Sequence, residues 1–221
     1  MDNLPSIQEL ISQLKDPESL VRKSAIEALG QFDSAKALPA LIEHLPQENN
    51  KEVFFYNLVV TIVSYGEKAV LPLIQLLDDE EKYLPAAYIL MRIPDERSII
   101  PLIKMLSDKR MTARVIAFFA LKQIGAVALV PLIEALNKSK DSMTRYFVVE
   151  ALGEINDKRA TEAIIGVLND SDFNVKGKAA WVVGKFGTKE TIRYLLLLLQ
   201  DTDPNVVRGA EHSINNINQN N

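Results

Sequence analysis

Apolar residues recur along this chain at helical spacing, in short runs that come in pairs. ELISQL (9–14), ALIEHL (40–45), PLIQLL (72–77), PLIKML (101–106), PLIEAL (131–136), AIIGVL (163–168) and YLLLLL (194–199) are versions of one amphipathic segment. Their second residues stand at 10, 41, 73, 102, 132, 164 and 195, so successive copies lie 31, 32, 29, 30, 32 and 31 residues apart. A period this steady is the signature of a repeat architecture. Prolines 39, 72, 101 and 131 suit the opening turn of this first helix (helix A), where a backbone N–H has no helical partner. Each copy leads into a turn rich in aspartate: Asp16-Pro17, Asp78-Asp79, Asp108, Asp170 and Asp172, and Asp201 to Pro204. Such carboxylates cap a following helix and complement its dipole. A second run (helix B) follows, as in VRKSAIEALG (21–30), ARVIAFFALK (113–122), TRYFVVEALG (144–153) and VKGKAAWVVG (175–184). Small residues at Ala25, Ala117 and Ala179 let helices approach closely, and Gly66, Gly125, Gly153 and Gly187 close their units. No segment alternates with period two, so no strand is expected.

A unit of about 30 residues cannot bury its apolar face alone, so neighbours must supply a continuous core. The pattern predicts an all-α fold, a right-handed α-α superhelix of about seven helix pairs. One domain is expected over 1–221, with units near 7–36, 37–69, 70–97, 98–128, 129–160, 161–190 and 191–217 and a frayed tail at 218–221.

Composition narrows the chemistry. Twenty-five Lys and Arg face 29 Asp and Glu, a net charge of −4, so no basic footprint points to nucleic acid. The chain has no cysteine, which excludes disulfides, thiolate metal sites and a Cys nucleophile. Only His44 and His212 remain as imidazoles, and no metal site is expected. Asp78 to Glu81 is four carboxylates in a row, read as a solvated turn because metal loops need spaced ligands and glycine. The N-terminus carries Asp2 and no positive run, and the densest apolar stretch, 194–199, is too short to span a bilayer. A cytoplasmic protein without membrane insertion is the expectation.

Asp16-Pro17 with Val21-Arg22, then Ala25, Ala28, Leu29 and Gly30, resembles the signature of HEAT repeats. The short period and the AAWVVGKFG of 179–187 are similar to the phycobilisome-lyase HEAT-like class. Within it, the chain resembles the non-bleaching B-type phycobilisome-degradation proteins and the bilin lyase subunits. That resemblance implies A helices on a convex side, B helices lining a concave side, and a function on phycobiliprotein subunits or their bilin chromophore. Phycocyanobilin is then a possible ligand, held without a covalent bond since the chain lacks cysteine. In this class Arg22, Arg114 and Arg145 would form a structural ladder to turn carboxylates.

The B helices align on Arg22, Phe55, Tyr83, Arg114, Arg145, Lys176 and Val207. One and five residues beyond that position, two side chains lie about 40° apart around a helix and are expected to face the groove. Five of these 14 slots are aromatic (Tyr56, Tyr88, Phe119, Tyr146 and Trp181), against ten of the other 207 positions, an enrichment that points to a binding face. Arg92, Gln123, Glu150, Glu154 and Lys185 are candidates to orient an anionic or hydrogen-bonding partner. Rings at helical spacing also serve inter-helix packing, and that reading stands beside the groove. No catalytic residues are assigned. The leading expectation is a bilin-binding or lyase-like factor that assists chromophore detachment. The alternative is a non-enzymatic scaffold that binds a peptide or protein partner on the same face.

Overall fold

The computed structural model describes residues 5–45 and 53–220. Among the described residues the structure is helical throughout, with no strand. The helices follow in A–B order: α1 (Ile7–Gln13) and α2 (Ser19–Leu29), α3 (Ser34–Glu43) and α4 (Val53–Ser64), α5 (Glu67–Ile74) and α6 (Tyr83–Arg92). Then come α7 (Ile99–Met105) and α8 (Met111–Ile124), α9 (Leu129–Lys138) and α10 (Ser142–Ile155), α11 (Thr161–Gly166) and α12 (Phe173–Val183), α13 (Ile192–Leu198) and α14 (Pro204–Asn220). The expected all-α, paired-helix architecture is what the chain adopts. Helices α1, α3, α9 and α13 carry 7, 10, 10 and 7 residues, below the length at which an isolated helix holds in water, so packing supplies their stability.

Local signals explain where several helices start. Ser6 and Glu9 form a reciprocal cap on α1, the Ser6 amide donating to Glu9 Oε2 at 2.6 Å and the Glu9 amide to Ser6 Oγ at 3.3 Å. Asp33, Asp141 and Asp172 accept from first-turn amides of α3, α10 and α12 at 2.8–2.9 Å. Pro101 and Pro131 stand in the first turn of α7 and α9, as expected, but Pro39 and Pro72 do not open their helices. Helices α3 and α5 begin at Ser34 and Glu67, five residues before Pro39 and Pro72, because Asp33 and Gly66 provide the caps. Pro39 is tolerated inside α3 because Ala35, whose carbonyl loses its usual donor, is exposed like Pro39 itself.

The chain divides into two compact units, Met1–Pro101 and Leu102–Asn221. In unit one the B helices α2, α4 and α6 stack in order, and so do the A helices α1, α3 and α5. Its core includes Ile26, Leu29, Leu41, Leu58, Ile62 and Leu73, all fully buried. The Tyr65 hydroxyl donates to the Leu29 carbonyl at 2.7 Å, so the second repeat closes the last turn of α2. In unit two α8, α10, α12 and α14 form a continuous B stack, with α9, α11 and α13 packed on α10, α12 and α14. Met111–Lys138 has the length and composition of a membrane span. A positive φ of 73° at Gly125 breaks it into α8 and α9, which both pack on α10.

Unit two also carries a ladder of charges between repeats. Arg114 donates to Asp141 at 3.1 Å, Arg145 makes a two-pronged pair with Asp170 at 2.7 Å on each arm, and Lys176 meets Asp201 at 2.7 Å. Each bond runs from the start of a B helix to the turn of the next repeat. Arg114 and Arg145 also donate to carbonyls of their own turns, Asp108 and Ser139. In unit one Arg22 donates to its own turn, to the Asp16 and Pro17 carbonyls at 2.8 and 2.9 Å. Burial opposes the Asp170 charge, but Arg145 and the Asp172 amide together outweigh it and hold the carboxyl below the usual carboxylate range.

Two details differ from the sequence expectation. Helix α14 continues through Asn220, so residues 218–220 are helical rather than frayed, anchored by Ile217, which is 1% exposed. Gly153 does not close its unit; α10 runs on to Ile155, with the Val182 side chain of α12 packed against it. The tightest approach lies at Gly184, where a Cβ would stand 2.7 Å from the Ser213 Cα and 2.3 Å from its Oγ.

Replacing Gly184 by Ala should therefore push α14 off α12 and cost about 1–3 kcal/mol, whereas Gly166→Ala, with nothing within 4 Å, should be neutral or stabilising in denaturant melts. Replacing Asp170 by Ala leaves the Arg145 guanidinium, whose side chain is 13% exposed, without its partner. It should cost about 2–3 kcal/mol, whereas Glu134→Ala, which breaks an exposed pair with Lys138 on one face of α9, should leave the unfolding midpoint almost unchanged.

Candidate functional site

The B-helix face of unit two brings together most of the rings and charges singled out in the sequence. Helix α10 contributes Tyr146 and Glu150, both half-buried, and the exposed Glu154. Helix α12 contributes Lys178 and Trp181, the turn that follows it contributes Lys185, and α14 contributes His212 and Asn216. These side chains recur at three- and four-residue steps, so each helix turns one stripe toward the same face. Trp181 is 43% exposed although it is the only tryptophan of the chain.

Two open cavities lie side by side on this face. One, about 430 Å³, is walled by Glu150, Glu154, Lys178, Trp181, Lys185 and His212. The other, about 400 Å³, is walled by Met111, Met143, Tyr146, Phe147, Glu150 and Asn174. Glu150 belongs to both. Beneath them Phe118 and Phe147 are buried and 6.4 Å apart, and Tyr146 meets Phe147 edge-on at 5.5 Å. Phe119, 43% exposed on α8, rests on Phe118 at 4.9 Å.

The charges are organised in pairs. Lys178 donates to Glu150 at 3.1 Å and its ammonium sits 4.8 Å from the centre of the Tyr146 ring. Burial works against the Lys178 charge, yet the Tyr146 hydroxyl and Glu150 together hold its pKa above the usual lysine value. Glu154 accepts from Lys122 of α8 at 2.6 Å and from Lys185, in the turn after α12, at 2.8 Å. These two ammonium groups, Lys122 first, lower its pKa to about 2.

In unit one, Tyr56 on α4 is 67% exposed. On α6 the Tyr88 ring lies 6.2 Å from Phe55, and Arg92 sits one turn further with its guanidinium 5.9 Å from the Tyr88 ring centre. Tyr83, aligned with the ladder position, is buried at 1% exposure and belongs to the core. Gln123 is exposed on α8. His44 caps the end of α3, its Nδ1 2.7 Å from the Ala40 carbonyl. Within the four-carboxylate turn, Asp79 accepts from the Glu81 and Lys82 amides at 2.9 and 2.8 Å, a local cap. Among the described residues no three His, Cys, Asp or Glu side chains gather into a metal-holding group.

Sequence reasoning missed Lys178, Lys122, Met143 and Phe147. The alignment placed the groove one and five residues past the ladder position, which put Gly177 on the face. The structure buries Gly177 against Val206 and turns Lys178 outward instead. The signal was present four residues further on, where Lys185 repeats the Trp181 stripe.

A family model described as HEAT repeats matches residues 2–54 and 129–215. The chain is 24% identical over 240 residues to deoxyhypusine hydroxylase-B of Oryza sativa subsp. japonica, covering 91% of this chain and 78% of that one. It is 25% identical over 176 residues to the uncharacterized phycocyanin operon protein Z of Pseudanabaena tenuis (strain PCC 7409), covering 75% and 86%. Among solved structures it is similar to the complex of CpcE and CpcF of phycocyanin lyase from Nostoc sp. PCC7120, at 22% identity, 98% and 95% coverage and a TM-score of 0.42.

The Glu154 pKa implies a sign for acid destabilisation. A carboxyl held at about 2 in the fold and near 4.5 when unfolded stabilises fully above about pH 5, and that contribution fades as pH falls toward 2. Glu154→Gln should therefore unfold at lower denaturant than the parent at pH 7, and the gap should close between pH 5 and 2. A gap independent of pH would place the glutamate's contribution elsewhere than in its charge.

Proposed function

The chain belongs to the HEAT-repeat family, and from that premise we propose that it is a recognition factor that binds a phycobiliprotein subunit on the B-helix face of unit two. The observation that carries this reading is the pair of adjoining cavities around Glu150, rimmed by partly exposed Tyr146, Trp181 and Met111. Exposed rings and methionines of this density mark a binding surface on a folded protein. The relative of the phycocyanin operon directs the choice of partner toward phycobiliproteins. In this reading the protein holds its partner as a scaffold, in the manner open to any repeat array.

A second, finer reading adds the chromophore. Planar rings beside lysines suit a linear tetrapyrrole with two propionates, so phycocyanobilin bound non-covalently is the ligand to test. Assistance to bilin detachment, as in the phycobilisome-degradation proteins the sequence resembles, would then come from orienting the chromophore. The alternative partner class is an unrelated peptide or protein.

The test is a titration by calorimetry against phycocyanin subunits with and without chromophore, alongside free phycocyanobilin followed by visible absorbance. Protein recognition expects saturable binding of the subunits, weakened about ten-fold or more by Tyr146→Ala with Trp181→Ala. The chromophore reading expects a shifted, sharpened spectrum of free phycocyanobilin that the same variant abolishes. Failure of every phycobiliprotein form to bind would overturn the choice of partner.

A further inference from the structure

A third cavity, about 560 Å³, lies in unit one between the A helices α3 and α5. Its walls are apolar over most of their length, with Leu38, Pro39 and Ile42 on α3, Pro72 on α5 and Leu76 just past the end of α5. Leu38 and Ile42 are buried and Leu76 half-buried, so the groove has a packed apolar floor. Pro39 accounts for the opening. The matching position in later repeats carries an aliphatic side chain, Leu71, Ile100 or Val130, each more than half exposed. The proline ring reaches less far than those side chains, and space remains beside it. Charge enters only at the ends. Lys68, the second residue of α5, stands where both helices begin, and among the described residues it meets no carboxylate. Helix α5 also starts there without a side-chain cap, which adds partial positive charge. At the other end Glu43 closes α3, and the Lys82 ammonium donates to its main-chain carbonyl at 2.9 Å. Lys82 and Glu43 thus stand together, whereas Lys68 has no acidic counterpart in the lining. Asp33 and Glu67 flank its end without lining the groove. Asp33 accepts from the Ala35 amide at 2.9 Å, and Arg97 donates to the Glu67 carbonyl at 3.1 Å.

We propose that this groove binds a small aliphatic carboxylate, its chain along Leu38, Ile42, Pro72 and Leu76 and its carboxylate against the Lys68 ammonium. The order of the wall selects this chemistry. One cation without a partner, followed by an apolar strip, matches a molecule charged at one end only. The volume falls within the range of small-ligand sites, about 300–1,000 Å³. Each methylene removed from water adds stabilisation, so chain length sets the affinity. The ammonium is exposed, so it decides the sign of the ligand more than the strength of binding. The site is independent of the recognition reading above, because it lies in the other unit and uses none of the same residues.

The test is calorimetry of the full chain with octanoate, beside hexanoate, 1-octanol and octylammonium. Octanoate should bind saturably. Hexanoate, with two methylenes fewer, should bind about three-fold or more weakly. 1-Octanol should also fall about three-fold or more below octanoate, and octylammonium further still. Lys68→Met should bring octanoate down to the level of 1-octanol. Pro39→Leu should fill the groove and abolish octanoate binding. That variant also returns an amide donor to the Ala35 carbonyl, so its melting temperature should stay the same or rise. Loss of the groove is thereby separated from loss of the fold. Trp181→Ala, in the other unit, should bind octanoate like the parent. Octylammonium binding as tightly as octanoate overturns the proposal, as does the lack of saturable heat with octanoate up to about 10 mM. Octanoate binding left undiminished by Lys68→Met or by Pro39→Leu overturns it equally.

Discussion

The structure depends on one constraint: no helix pair here can bury its own apolar face. Two helices of 7 and 11 residues, as in α1 and α2, close on each other along one stripe and leave the other open. Only the next pair covers it, so burial in each repeat is set by its neighbours. In unit two this dependence is given a register by the charge ladder. Arg114, Arg145 and Lys176 each leave the start of a B helix and reach the turn of the following repeat. Hydrophobic stacking alone tolerates sliding of one helix along another. A two-pronged bond such as Arg145 to Asp170 does not, because both arms lengthen together when the helices shift.

A second set of charges acts at the other end of the same helices. Lys122, Glu154 and Lys185 link the C-terminal ends of α8 and α10 to the turn that follows α12. The ladder pins the beginnings of the B helices and this chain of ammonium and carboxylate groups pins the ends. Tyr146, Glu150, Lys178 and Trp181 lie between the two. Their positions are therefore fixed from both ends by ion pairs between neighbouring repeats. Unit one holds its B stack by other means, with Tyr65 reaching back to the Leu29 and Phe32 carbonyls.

The repeat and its helix pairs were readable because seven copies of one pattern average out the ambiguity of each. What the pattern does not specify is the rotation of a helix about its axis. A slot one residue past the ladder position holds half-buried Tyr146 on α10 and buried Gly177 on α12. Which of two adjacent residues turns outward is decided by the close approach of the neighbouring helix, here the α14 backbone that Gly177 and Gly209 admit. That information sits in the next repeat, about 30 residues away, and not in the local spacing. The slot five residues on holds exposed Trp181 and half-buried Glu150 because it lies nearer the centre of the outward stripe. Residues 218–220 were misjudged for a similar reason. Their composition is that of a tail, but Ile217 is fixed against Gly187 and extends the helix.

The same face also shows what kind of work its charges are prepared for. A general acid or base needs a pKa drawn toward the working pH, so that both protonation states are accessible. Here the shifts run the other way. Glu154 is held at about 2 and Lys178 above the ordinary lysine value, each further from neutrality than in water. Both stay charged across the physiological range and neither is poised to move a proton. Fixed charges beside rigid rings set the sign and orientation of whatever binds. The Lys122, Lys185 and Lys178 pairs thus hold the charges of this face in fixed places. The indole beside them is held as firmly, by packing rather than by charge. A Cβ at Gly209 would stand 2.8 Å from the Trp181 Cδ1, so the ring is seated on the α14 backbone that this glycine leaves open.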